Sequence, residues 1–126
     1  MKSFIIPLSI FGFIIILVIT NFIILKSSTE KLTDIIDNSM QKVQNNNFKE
    51  GIDEIYLFEK EYKKYESYFS TIVRHSELDE IRILSKRLSN LCTIETKEEF
   101  LAESNALKDM INHLYYSDQI SINNIL

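Results

Sequence analysis

Residues 4–25 read FIIPLSIFGFIIILVITNFIIL, twenty-two residues without a charge, bounded by Lys2 and Lys26. As an α-helix rising about 1.5 Å per residue, the run is roughly 33 Å long, enough to cross a hydrocarbon layer of about 30 Å. A cleaved signal sequence is the alternative, but its apolar core is about 7 to 15 residues long and ends in small residues. Here the run passes into Leu25-Lys26-Ser27-Ser28-Thr29 with no alanine, so residues 1–26 read as an uncleaved transmembrane signal anchor. Pro7 falls in the first turns, where its missing N–H matters least, and Gly12, Thr20 and Asn21 are either tolerated or face a partner helix.

Positive charge is nearly balanced across the segment, Lys2 and the amino terminus against Lys26 and Lys31. A three-residue head followed by a hundred-residue domain is the layout of a single-pass anchor that leaves its bulk outside the cytoplasm, at the cell membrane. Only Met1-Lys2-Ser3 then lies on the far side, too little to form a domain, so a signal crossing the membrane needs a partner.

Beyond Lys26 the composition changes. Eighteen of the 57 hydrophobic side chains lie in residues 1–26, while residues 27–126 carry 12 basic and 18 acidic side chains. A domain with a net charge of −6 argues against a nucleic-acid partner, which requires a basic stripe. The small basic groups, Lys63-Lys64 and Arg82, Lys86 and Arg87, alternate with acidic residues and read as solvated, salt-bridged helix faces. One cysteine excludes an intrachain disulfide framework, and two glycines with one proline leave little turn chemistry for a β-sandwich.

The hydrophobic period is helical throughout. Leu32, Ile35, Ile36, Met40 and Val43 form one stripe, continuing the membrane helix into water. Asn45-Asn46-Asn47 interrupts it, and Asn47 is placed to cap a helix on which Phe48, Ile52, Ile55, Phe58, Tyr62, Tyr65, Phe69 and Val73 recur at threes and fours. Gly51 in its first turn implies a close helix contact. A third stripe runs Leu78, Ile81, Leu84, Leu88, Leu91 and Cys92; whether it is separate from the second or one bent helix is open at this level. Thr96-Lys97-Glu98-Glu99 matches a capping box opening a last helix with Phe100, Leu101, Ser104, Leu107, Met110, Ile111 and Leu114. The tail, Ser117 to Leu126, is too apolar for a free end and is expected to dock on the bundle. The fold class is therefore all-α: one N-terminal transmembrane helix, then a small antiparallel bundle of three to four helices over residues 27–126.

Several of these features together resemble a known family. The Met1-Lys2 head, the N-terminal membrane helix, the Asn47-Phe48 pair opening a long helix, the His75-Ser76-Glu77-Leu78-Asp79 stretch, the Leu101-Ala102 pair and the Ser121–Leu126 ending are similar to those of the bacterial family catalogued as domain of unknown function 4363. Phe48 stands where the family tends to have tryptophan and Gly51 where it tends to have alanine. The resemblance implies a membrane-anchored helical protein and brings no established activity with it.

Candidate chemistry is sparse. On one helix His75 and Asp79 share a face, and His113 could join them as a metal site of two nitrogens and a carboxylate. The preferred structural alternative has His75 and Ser76 fixing a helix end and the carboxylates favouring its N-terminus. Cys92, with no basic neighbour, reads as a buried small hydrophobe, an intermolecular disulfide being the rival. No phosphate loop, nucleophile elbow or paired zinc motif occurs, so neither catalysis nor a cofactor is expected. Tyr56, Tyr62, Tyr65 and Tyr68 on one helix, with Tyr115 and Tyr116 on another, suit packing at a half-buried edge or a contact surface. Tyr62, Tyr65, Tyr68, Tyr115, Tyr116, Ile122 and Ile125 are the candidate partner-binding residues. The expected function is a noncatalytic accessory or interaction protein, held in the lipid bilayer by residues 4–25 and working with a membrane-protein partner or as a homo-oligomer. The alternative is an extracytoplasmic ligand- or metal-sensing helical domain.

Overall fold

The computed structural model describes residues 2–71 and 73–125, with side-chain surroundings described as far as Tyr115. Four helices follow one another: α1 Lys2–Gln44, α2 Phe48–Phe69, α3 His75–Thr93 and α4 Lys97–Ile125, with no strand among the described residues. Each packs against its chain neighbours and α4 returns to α1, closing an up-down-up-down ring. The all-α expectation holds, with one sharpening. The apolar run and the Leu32–Val43 stripe are a single helix of 43 residues, so the helix that carries the apolar run is itself one of the four in the bundle.

The switch from outward-facing apolar side chains to core packing occurs within α1. Phe4 to Ile24 presents its large side chains outward, whereas Leu25 is fully buried and is followed inward by Ser28, Thr29, Leu32, Ile35, Ile36, Ser39 and Val43. The structure thus brings bundle packing one residue before Lys26, and the helix runs through the expected 26/27 boundary unbroken. Ser and Thr at the start of this stripe satisfy their hydroxyls locally, Ser28 Oγ donating to the Leu25 carbonyl and Thr29 Oγ1 to the Lys26 carbonyl, both at 3.0 Å.

Two turns close the end of the bundle far from the apolar run. Each is a Schellman motif, the arrangement in which a left-handed residue lets its own N–H and that of the next residue reach back to the last carbonyls of the helix. In the first, Asn46 has φ 65°, Asn46 N donates to the Val43 carbonyl and Asn47 N to that of Lys42. In the second, Glu95 has φ 56°, Glu95 N donates to the Cys92 carbonyl and Thr96 N to that of Leu91. Asn47 caps α2 as its position suggested, its Oδ1 accepting from Glu50 N at 3.3 Å. The Thr96 start is also met, α4 opening at Lys97.

The expected close contact at Gly51 is present. Ser39 Oγ donates to the Gly51 carbonyl at 2.8 Å, and a Cβ on Gly51 would lie 2.6 Å from Val43 Cγ2. Here α1 and α2 touch backbone to side chain. At the other end, α2 and α3 are two helices, separated by Ser70–Arg74. Residues 117–125 continue α4 as helix, while the side chains of the tail, and so its expected docking, lie outside the described residues.

Candidate functional site

The end of the bundle nearest the apolar run is built by aromatic side chains. Tyr68, in the last turn of α2, donates its hydroxyl to the Asn21 carbonyl of α1 at 2.9 Å. Tyr115 of α4 meets Phe22 with ring centroids 5.3 Å apart. Phe69 lies between Tyr62, Tyr65 and Tyr68, with centroids 6.0 to 6.3 Å away. These contacts pin α2 and α4 to the last two turns of the apolar run. Tyrosine suits such an edge, since it has an apolar body and a polar tip.

The tyrosines do not form one surface. Tyr62 is core: it is 4% exposed, stacks on Phe58 and donates its hydroxyl to the Leu78 carbonyl at 3.1 Å. Burial pushes that hydroxyl up to about 12 and keeps it a donor. Tyr65, Tyr68 and Tyr115 are half-buried against the core, while Tyr56 stands out in solvent. The side chains of Tyr116, Ile122 and Ile125 lie outside the described residues.

One acid of the face read from the sequence as solvated and salt-bridged, Glu61 near the middle of α2, is salt-bridged but not solvated. Glu61 is buried, with Oε2 3.1 Å from Lys31 Nζ on α1 and Oε1 3.1 Å from Lys64 Nζ. Lys31 lies off the direction of a well-formed hydrogen bond to Oε2, yet the two ammonium groups, Lys31 first, hold the carboxyl below the usual carboxylate range. The i, i+3 step from Phe58 was the available signal, since it places Glu61 beside the core stripe.

The metal candidates are divided between two grooves. His75 and Asp79 line one between α2 and α3, together with Arg82, whose guanidinium pairs with Glu66 and lies 3.7 Å from Asp79. His113 lines the other, between α3 and α4, with Glu77, Glu80 and Asp109. The structure therefore does not bring His113 to His75 and Asp79. Among the described residues no three His, Cys, Asp or Glu side chains converge to hold a metal ion. Cys92 is 2% exposed and faces the Gly51 contact, and burial pushes its thiol up to about 11; so placed, it is a packing residue and a poor nucleophile.

The α3–α4 groove is the feature sequence reading did not assemble. Its floor is Ile81, Leu84 and Met110, and its rim carries Glu77, Glu80 and Asp109. Met110 belonged to the core stripe by period, yet it is only half-buried.

A family model described as a domain of unknown function (DUF4363) matches residues 18–125. The chain belongs to this family. The matched span opens at Val18, within the apolar run, so the DUF4363 unit takes in Asn21, Phe22 and Leu25, the residues through which α1 first meets α2 and α4. No curated protein and no solved structure matches the chain.

Proposed function

We propose that this protein is a single-pass, membrane-anchored accessory protein that works through a membrane-protein partner, its bundle standing outside the cytoplasm. The observation that carries the reading is the continuity of α1. One helix holds an apolar stretch long enough to cross a bilayer, of which almost nothing is buried against the chain, and then becomes a core element of the bundle. A core helix of a water-soluble protein would be covered on most of its length, and so large an uncovered apolar surface calls for lipid or another helix. The ring of Phe22, Tyr68 and Tyr115 supports a bilayer edge near Asn21.

Detergent extraction of the full chain, tagged after Leu126, followed by identification of co-purifying membrane proteins tests the reading. A reproducible membrane-protein partner is the expected result. Recovery of the chain alone and monomeric would overturn it. Protease access to the same tag in intact cells tests the orientation: cleavage from outside is expected, and protection would reverse the topology.

A further inference from the structure

The groove between α3 and α4 is apolar below and acidic above. Ile81 and Leu84 are buried in its floor, and Ile83, beside them, is 59% exposed, with none of the described residues covering it. Glu77, Glu80 and Asp109 on the rim have no ion-pair partner among the described residues, whereas Arg87, a little farther along, is engaged by Glu103 at 3.6 Å. The groove holds about 330 Å³ at its end near the apolar run and about 230 Å³ at the other. From Glu77 to Arg87 it follows α3 for roughly 15 Å, about three turns of an α-helix.

We infer that this groove is the docking site for a cationic amphipathic helix of a membrane-protein partner. The inference rests on the proposed interaction role and names its surface. Uncompensated carboxylates around an apolar floor are complementary to lysines or arginines flanking a Leu- or Ile-type stripe, the helix-in-groove mode of recognition. Met110 gives the floor an unbranched side chain that can adapt to the helix it meets. A second copy of this chain is a poor occupant, because residues 27–126 carry 18 acidic against 12 basic side chains and the copies repel. A partner from the same bilayer is the better fit. The groove's lower end, at His113, is two residues from Tyr115, which touches Phe22 where the apolar run ends, and basic residues gather on membrane helices at that level.

The test uses the full chain in nanodiscs of zwitterionic lipid with methyl-labelled methionine. The probe is a synthetic Leu/Lys helix of about fourteen residues with leucines at i, i+3, i+4 and i+7. A peptide with the same leucines and glutamate in place of lysine is the control. The expected results are a shift of the Met110 methyl resonance with Met40 unmoved, and binding that weakens as salt rises. Affinity should fall about tenfold or more in Glu77→Gln/Glu80→Gln/Asp109→Asn, and stay unchanged in Asp34→Asn/Asp53→Asn, which removes exposed acid elsewhere. Equal binding of the Leu/Glu peptide, an unmoved Met110, or undiminished binding by the triple variant would overturn the assignment. So would self-association of the chain that the triple variant abolishes. If the tagged triple variant still co-purifies a membrane partner, the interaction role stands and this groove is not its site.

Discussion

Gly51→Ala is expected to destabilise the bundle although it introduces a better helix former. The intrinsic gain is at most about 1 kcal/mol. Against it, the new Cβ would sit 2.6 Å from Val43 Cγ2, so something must move by about 1 Å to restore an ordinary carbon–carbon contact. Val43 is fully buried and β-branched, and its methyl has no free rotamer to escape into. Overpacking of this kind costs about 1–3 kcal/mol, leaving a net loss of about 1 kcal/mol and a melting temperature lower by roughly 4–8 °C for a domain of this size. The sharper measurement is the cycle with Val43→Ala. That change alone should cost about 2 kcal/mol through lost burial and a cavity, but in the double variant the methyl introduced at position 51 occupies the space released. The two substitutions should then be less damaging together than their sum by about 2 kcal/mol. Thermal melting of the four proteins in zwitterionic micelles, followed by far-ultraviolet circular dichroism, reads the result. A Gly51→Ala protein more stable than wild type, or a cycle additive within about 0.5 kcal/mol, would refute the claim that this glycine sets the α1–α2 distance.

Other outcomes follow from the same geometry. Glu95→Gly should raise stability by about 0.5–1 kcal/mol, because a left-handed residue with a Cβ gives way to one without that penalty; an unchanged or lower melting temperature would count against the Schellman turn. Asn47→Ala should cost about 1 kcal/mol, with faster hydrogen exchange confined to the first turn of α2 as its signature. Glu61 has a folded pKa below its unfolded value, so its contribution is fully present above the ordinary carboxylate range and is lost as pH falls through the folded value. The stability gap between wild type and Glu61→Gln should accordingly shrink as the solution is acidified below the ordinary value of 4.5; a gap that stayed constant into strong acid would refute the ion-pair role. Cys92, with its thiol pushed up to about 11 and its side chain covered, should resist iodoacetamide in the folded protein and react once unfolded, as mass spectrometry would record.

The parts of the fold legible in the sequence were those written as period or as caps. The stripe from Leu32 to Val43 follows the apolar run without a glycine, a proline or a cap between them, so a single helix was readable. Asn47 and Gly51 announced a cap and a contact through side-chain chemistry that has few other uses. The break between α2 and α3 was not readable, because residues 70–74 contain no glycine or proline to mark it. The second Schellman turn was hidden for a similar reason, since Glu95 occupies the position where glycine is the usual mark. Site geometry was the least accessible. His75 belongs to α3 and lines its α2 side, whereas His113 comes from α4 on the other side, and which helices flank α3 is a property no single stripe encodes. Glu61 likewise becomes a core residue only because Lys31 arrives from another helix.

The length of α1 also has a mechanical meaning. Between Gly12 and Gly51 the chain contains neither glycine nor proline, so no joint exists where the helix leaves its apolar stretch. From Leu25 to Gln44 the rod extends about 30 Å at 1.5 Å per residue. A tilt of about 20°, ordinary for a membrane helix, would swing its far turn sideways by roughly 10 Å, carrying the whole bundle with it. Were the apolar stretch to span a bilayer, any change in that tilt would steer where the α3–α4 groove points, because the segment that crosses and the segment that packs are one rod.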